Sequence, residues 1–430
     1  LRSLVGSEMC IRDSYEALLA DPGNAQFHLT DPRGASDKSG RTFNNPYQYF
    51  FEQMHMDDAI YADESIYEYP MQQGGGNDGR PYSFGRPSSG GSKAAYPCKS
   101  YGQGRINPAY FYGVFDPNDM RRDVSITMTG SNGKGVEKLI PFVPNSKAEG
   151  GGLTLNKWDE NRQANPWVAA QRKSGINGPY MRMSEVYLGY AEVCAALGDV
   201  VTGKQYLKTV RERSFPQGLA NTDAFIASFG NDLVRAIIEE RGFEYAGEGD
   251  RRWTLIRSGY LPEDIKRIKD MTKAMMDGLA TKGYYEFENG NIISAYIWTK
   301  LVDAKTIYGH RLTAQCPTDK VNDPVLYPGW RGQKDNWEEM GLNYGSSTPA
   351  TNLAIKGLFE IVSEEEAASL ESQGYAKVNW GIDLVDYRDE YDKYLFWDYD
   401  YVSAPIYLWP FTPNVMAAGG FTNGYGFKQE

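Results

Sequence analysis

The densest set of chemistry-bearing side chains lies in Ile237–Gly259, IIEERGFEYAGEGDRRWTLIRSG, where Glu239, Glu240, Glu244 and Glu248 face Arg241, Arg251, Arg252 and Arg257. Glu240, Glu244 and Glu248 recur every four residues, which predicts that they lie along one helix face. Two carboxylates across a cleft can act as acid and base in glycoside hydrolysis. Glu244 with Glu248, or Asp398 with Asp400, are the pairs to weigh. Flanking guanidinium groups lower a carboxyl pKa and disqualify it as a general acid. Asp398 and Asp400, two residues apart, share one face of a strand and do not oppose each other. The other chemistry is structural. Ile237, Ile238, Phe243, Tyr245, Trp253, Leu255 and Ile256 thread between the charges, more apolar neighbours than a solvated face needs. The stretch therefore predicts a partly buried ion-pair network that clamps a helix end onto a core. Glu240, Arg241, Glu244, Glu248, Arg251 and Arg257 are its expected members, and no residue is expected to be catalytic.

Other site chemistries find little support. His28, His55 and His310 are far apart, which argues against a His-based metal site or a Ser-His-Asp triad. Cys10, Cys98, Cys194 and Cys316 contain no Cys-x-x-Cys pair, so zinc is not expected, while one long-range disulfide stays open. GEGDRR at 247–252 begins like a glycine-rich phosphate loop, but it follows a helix and its carboxylates would repel phosphate. No P-loop, dinucleotide fingerprint or calcium-loop spacing occurs, so no cofactor is expected. A net charge of −11 disfavours nucleic acid and anionic membrane surfaces as partners. No apolar run is long enough for a transmembrane helix. The chain holds 31 Tyr and 9 Trp, rings with an apolar face and a polar tip that suit sugars or peptides, or a large Tyr-using core.

The elements that must position these residues read as mainly α, with irregular loops and minor β. Residues 1–14, LRSLVGSEMCIRDS, show no helical periodicity or motif. They are read as a sequencing-linker artefact outside the fold, with Cys10 not native and a natural leader and lipid-modified Cys lost. Residues 15–430 form one domain. Its early part includes a Gly- and Tyr-rich loop over 72–112 and a strand in which Val124, Ile126 and Met128 alternate with Ser125, Thr127 and Thr129. SNGKG at 131–135 is a hairpin turn. Helical hairpins span 179–259. Pro179 sits near a helix start, Met183, Tyr187, Tyr190, Cys194 and Leu197 share a face, and Gly198 ends the helix. A loop-rich excursion follows over 261–400, opening with a helix over 262–276 and containing a helix with a capping box at Ser363 and Glu366. Residues 401–430 close the domain.

Ile237, Glu240, Arg241, Glu244, Glu248, Gly249, Arg251, Leu255, Arg257 and Gly259 match in register the signature I-x-x-E-R-x-x-E-x-x-x-E-G-x-R-x-x-D-L-x-R-W-G. In this respect the chain resembles SusD/RagB-like proteins. Thr254 replaces the usual Asp and Ser258 the usual Trp, which predicts one weakened capping or ion-pair contact. Three more segments fit in the expected order. Asp116, Asp119, Arg121 and Arg122, followed by Lys157 and Trp158, resemble the family's segments ahead of the helical part. Pro179, Arg182, Glu185, Tyr187, Leu188, Tyr190, Ala191 and Glu192 resemble its first tetratricopeptide-like helix. Leu408, Pro410, Pro413, Gly424 and Tyr425 resemble its closing segment, while Phe411, Thr412, Thr422 and Asn423 depart from it.

The resemblance implies capture without catalysis: a nutrient-binding lipoprotein on the outer-membrane surface that binds glycan, or peptide in some branches, as a lid over a SusC-like TonB-dependent transporter. It also implies that the hairpins form the scaffold and the irregular half the ligand face. A purely protein-binding helical-repeat scaffold is the other reading. A neutral oligosaccharide needs flat rings for its C–H faces and amides or charges for its hydroxyl rim. Tyr327, Trp330, Trp337 and Tyr344, interleaved with Arg331, Gln333, Asp335, Asn336 and Asn343, have that composition. Tyr82, Tyr96 and Tyr101 of the early loop are further candidates. Against this stands the reading of Trp330 and Trp337 as buried loop anchors.

Overall fold

The computed structural model of the chain describes residues 5–20, 64–72, 83–87, 100–131, 137–142, 152–158, 174–303, 351–389 and 411–420, together with 29, 46–47, 50–51 and 422. The fold is mainly α. Its frame is a run of helices: α1 (Val5–Ala20), α2 (Arg121–Ser125), α3 (Met183–Ala196), α4 (Val200–Arg213), α5 (Thr222–Ala227), α6 (Leu233–Glu244), α7 (Arg251–Ser258) and α8 (Leu261–Lys282), with α9 (Glu364–Ser372), α10 (Gly381–Asp386) and α11 (Pro413–Gly419) beyond. Helices α3 and α4 form the first hairpin. Gly198 turns the chain at φ +87°, where a side chain would be strained, and the Asp199 side chain caps α4 by accepting from the Thr202 N–H. Leu188, Ala191, Leu207, Val210, Leu233, Ala236 and Ile237 close a common core between α3, α4 and α6.

Short strands decorate this frame. The antiparallel ribbon β1 (Ser65–Tyr69) with β6 (Gly178–Arg182) runs into the start of α3. Strand β2 (Ile126–Thr127) pairs with β5 (Thr154–Leu155), β3 (Thr129–Ser131) with β4 (Glu137–Leu139), and β7 (Tyr284–Glu286) with β8 (Ile292–Ser294). A three-stranded sheet has the order β10-β9-β11, from β9 (Tyr296–Asp303), β10 (Thr351–Lys356) and β11 (Ala376–Asn379). The largest core lies between α8 and this β region, where Met275, Met276 and Leu279 meet Phe287, Ile293, Ile297 and Trp380.

Several local expectations change in three dimensions. One helix runs from Val5 through Ala20, so position 14 is no structural break. Tyr15 and Leu19 pack on Tyr190, Val193 and Cys194 of α3, and Arg12 reaches Asp199 at 3.3 Å. Tertiary anchoring thus supports a helix for which the local sequence shows no period. Pro179 lies in β6, which ends where helix α3 begins, so it is near that helix start as expected. The strand expected from the 124–128 alternation begins instead as helix α2, and Ser125, Thr127 and Thr129 are as buried as Val124 and Ile126. The helix expected to end at Met276 continues to Lys282 and stops at Gly283, φ +77°. The Ser363–Glu366 capping box is present. Cys194 is buried and free, and Cys10 is exposed and free.

Candidate functional site

The carboxylates of the motif face inward and meet cations from distant parts of the chain. Glu240 and Glu244 lie one turn apart on α6. Glu248 lies beyond the helix end, a correction to the expected single face, because α6 stops at Glu244 and the chain turns. Its carboxylate nevertheless joins the same cluster. Arg121 bridges Asp119 at 2.7 Å, Glu240 at 2.7 Å and Glu244 at 3.2 Å. Arg211 holds Glu240 at 2.8 Å. Arg182 bridges Glu64 and Glu248 at 3.0 Å each and also contacts Glu244. Arg213 takes Glu244 at 2.7 Å and also contacts Glu64, and Lys157 reaches Glu248 at 2.6 Å. Among the described residues, five cations meet five carboxylates, all buried. The charges balance, as a buried ion network requires.

Aromatic rings wall the cluster. Lys157 and Arg182 lie over Tyr47 and Phe51, and Arg211 lies 3.8 Å from the Phe225 ring centroid. The Tyr47 hydroxyl donates to the Glu244 carbonyl, where a helix end leaves an acceptor unused. Burial opposes ionisation of Glu244, but the guanidinium groups of Arg182, Arg213 and Arg121 outweigh it and hold its carboxyl well below the usual range. Glu248 is likewise lowered: burial works against it, and Arg182 and Lys157 prevail. Burial pushes the Lys157 ammonium down to about 8 against the pull of Glu248. A pair of buried, ionised, fully engaged carboxylates has neither a proton to give nor access to a substrate, so Glu244 and Glu248 are a frame and not an acid–base pair.

The remaining motif arginines brace neighbouring elements. Arg241 binds Glu185 and Asp250 at 2.6 Å each. Arg251 binds Glu239 at 3.0 Å and Asp264 at 2.9 Å, tying α6 to α8. Arg257 pairs with Glu192 at the surface. Thr254, which stands where the family pattern has Asp, is buried. It accepts from Arg241 and donates to Asp250, so Asp250 supplies the missing carboxylate. Asp119, Arg121, Lys157, Arg182 and Glu248, drawn from three separate motif segments, converge on one cluster. Glu64, Arg211 and Arg213 complete it without a local signal of their own.

Of the expected ligand residues, Tyr327, Trp330, Arg331, Gln333, Asp335, Asn336, Trp337, Asn343, Tyr344, Tyr82 and Tyr96 lie outside the described residues, as do Asp398 and Asp400. The segment that carries Tyr327–Tyr344 connects β9 to β10. Tyr101 is half-buried beside Gly102, whose φ of +57° lets the backbone pass Pro87. Two further surfaces stand out, one aromatic and exposed, the other basic around a single exposed ring.

The first is the β1–β6 ribbon. Glu64, immediately before β1, and Arg182, at the end of β6, clamp its base into the charge cluster. Its outer part presents Tyr67 at 59% exposure and Tyr180 at 73%, their rings edge to face at 5.7 Å, with Tyr69 also exposed. The alternation in SIYEY is the local signal for this ribbon. The second surface is one face of the β9 sheet. Tyr296, Trp298 and Lys300 alternate on one side of β9, with Lys377 and Lys356 opposite Trp298 on the two neighbouring strands. Here YIWTK carried the period-two signal.

A family model described as the SusD family matches residues 26–411. SusD-like protein P25 of Formosa agariphila is 28% identical over 160 residues, which cover 37% of this chain and 26% of that protein. A solved SusD homolog from Bacteroides thetaiotaomicron is 19% identical, with a TM-score of 0.40, over 56% of this chain and 49% of its own. Surface glycan-binding protein A from Bacteroides thetaiotaomicron, solved in complex with laminarihexaose, is 16% identical, with a TM-score of 0.37, over 60% of this chain and 52% of its own. The chain thus matches about a quarter of the length of that curated relative and about half that of these solved chains.

Proposed function

Because the chain belongs to the SusD family, we propose that it captures oligo- or polysaccharide at the outer-membrane surface, without catalysis, and passes it to a SusC-like TonB-dependent transporter. The family match over residues 26–411 carries this reading. The chemistry of the described residues supports it. The motif carboxylates are consumed in a buried, charge-balanced frame, while large aromatic rings stand at the surface. Among the described residues, no helix is long and apolar enough to cross a membrane.

Ligand contact is assigned to the segment between β9 and β10, with Trp330 and Trp337 as stacking platforms, Tyr327 and Tyr344 beside them, and Arg331 and Asn336 on the hydroxyl rim. Tyr82 and Tyr101 add contacts from the early loop. Each stacked ring contributes about 0.5–1.5 kcal/mol beyond its buried area, so several are needed for useful affinity. The test is retardation of the purified chain in native gels cast with soluble polysaccharides, alongside Trp330→Ala and Trp337→Ala. Retardation by a glycan that weakens in either variant is the expected result. A folded protein retarded by no glycan would overturn the reading and favour peptide capture.

A further inference from the structure

The outer face of the β9 sheet concentrates positive charge on a protein whose net charge is −11. Trp298 is the third residue of β9, with Lys377 of β11 directly across from it on one side and Lys356 of β10 on the other. Directly paired residues of antiparallel strands point to the same face. Tyr296 and Lys300, two positions either way along β9, share that face. The Lys377 ammonium lies 4.2 Å from the Tyr296 ring centroid and 5.8 Å from that of Trp298. The Lys300 ammonium lies 5.8 Å from the Tyr375 ring and donates to the Gln373 carbonyl at 2.7 Å.

Among the described residues, no carboxylate forms an ion pair with Lys300, Lys356 or Lys377. Two acidic groups nearby are held by other partners. Glu366 feels Lys356 electrostatically, and its carboxylate closes the capping box by accepting from the Ser363 N–H at 3.0 Å and hydroxyl at 2.9 Å. Asp383 accepts from the Asn379 side chain at 3.2 Å. Trp298 is only 6% exposed, so it backs this face and presents no ring to solvent. Three ammonium groups without an ion-pair partner among the described residues, beside the exposed Tyr296 ring, form a cationic surface.

We infer that this face binds the charged groups of an acidic polysaccharide, uronate carboxylates or sulfate esters, and so selects anionic over neutral glycan. The inference rests on the proposed glycan capture. Lysine suits both anions, because an ammonium is a compact point charge without the geometric demand of a guanidinium fork. The exposed Tyr296 ring takes the C–H face of the sugar that carries the anion. The general repulsion from an acidic protein is screened beyond about 8 Å at physiological salt, while contacts at the lysines are not.

The test compares retardation by polygalacturonate (uronate), carrageenan (sulfate) and a neutral β-glucan for the unaltered chain, Lys377→Gln, Lys356→Gln and the double variant. Lys204→Gln/Lys208→Gln on α4 controls for net charge. The expected result is binding to at least one acidic polymer, weakened about threefold by each single change and about tenfold by the double, with the α4 control unchanged. Which acidic polymer responds identifies the anion. Binding of the neutral glucan alone, or acidic binding insensitive to the sheet lysines, overturns this inference and leaves glycan capture standing. Equal retention by a single-stranded oligonucleotide marks unselective polyanion attraction and overturns it as well. Binding to none of the three polymers, with circular dichroism reporting a folded chain, overturns this inference, and glycan capture falls with it only if the wider panel of soluble polysaccharides is also negative.

Discussion

Glu244→Gln is the sharpest test of the buried frame. The substitution keeps volume and removes one negative charge from a cluster of five cations and five carboxylates. Arg121, Arg182 and Arg213 all lose an ion pair to Glu244. Each retains another: Arg121 with Asp119 and Glu240, Arg182 with Glu64 and Glu248, and Arg213 with Glu64. The cost is therefore that of one uncompensated buried charge, about 3–5 kcal/mol, out of a typical total stability of about 5–15 kcal/mol. With a urea slope of about 3 kcal/mol per molar, the unfolding midpoint should fall by about 1–2 M. Fluorescence of the buried Trp158 and Trp380 reports the transition.

The acid limb provides a second readout of the same residue. The folded-state carboxyl of Glu244 titrates below its ordinary 4.5. Its contribution is complete above that pH and is lost as pH falls toward the folded value. The unaltered chain should lose stability steeply below about pH 4.5, and the variant less steeply. Arg257→Gln serves as the contrast. Its pair with Glu192 is at the surface, with the arginine 47% exposed, so it should cost less than about 1 kcal/mol. A Glu244→Gln cost no larger than that of Arg257→Gln, or parallel acid limbs, would refute the claim that a buried balanced network holds this fold.

Two further outcomes follow from local geometry. Ser363→Ala removes the hydroxyl half of the α9 capping box and leaves the backbone N–H of residue 363 on Glu366; it should cost about 1 kcal/mol locally, and hydrogen exchange should quicken in the first turn of α9 and stay unchanged in α6. Gly152→Ala places a Cβ 2.2 Å from Cδ1 of Phe142 at a φ of +67°. Left-handed backbone and displaced core together should lower stability by about 2 kcal/mol or more in thermal unfolding, and a neutral result would mean that the 152 turn relaxes freely.

Local pattern carried the helices of this protein a long way. The 3.6-residue period of α3, the Gly198 stop, the Ser363 cap and the four-residue spacing of Glu240 and Glu244 are short-range properties, and they appear in the structure as read. The charge of the motif also announced an ion network, because carboxylates threaded with large apolar residues cannot stay unpaired in a core. Its partners were not legible in that way. Glu244 is held by Arg121, Arg182 and Arg213, between 31 and 123 residues away along the chain, while Arg241, Arg251 and Arg257 of the same stretch turn to other carboxylates. Pairing in a core is decided by which elements pack together, and no local period encodes that. The full burial of Ser125, Thr127 and Thr129 was not legible for the same reason. The lysines about Trp298 lie 58 and 79 residues from it in sequence and meet only through strand register. Sequence determined the periodic and capped helices and that charge would be buried; tertiary packing decided the helix at Val5–Ala20, which opposite charges meet, and which positive charges are left at the surface without an ion pair among the described residues.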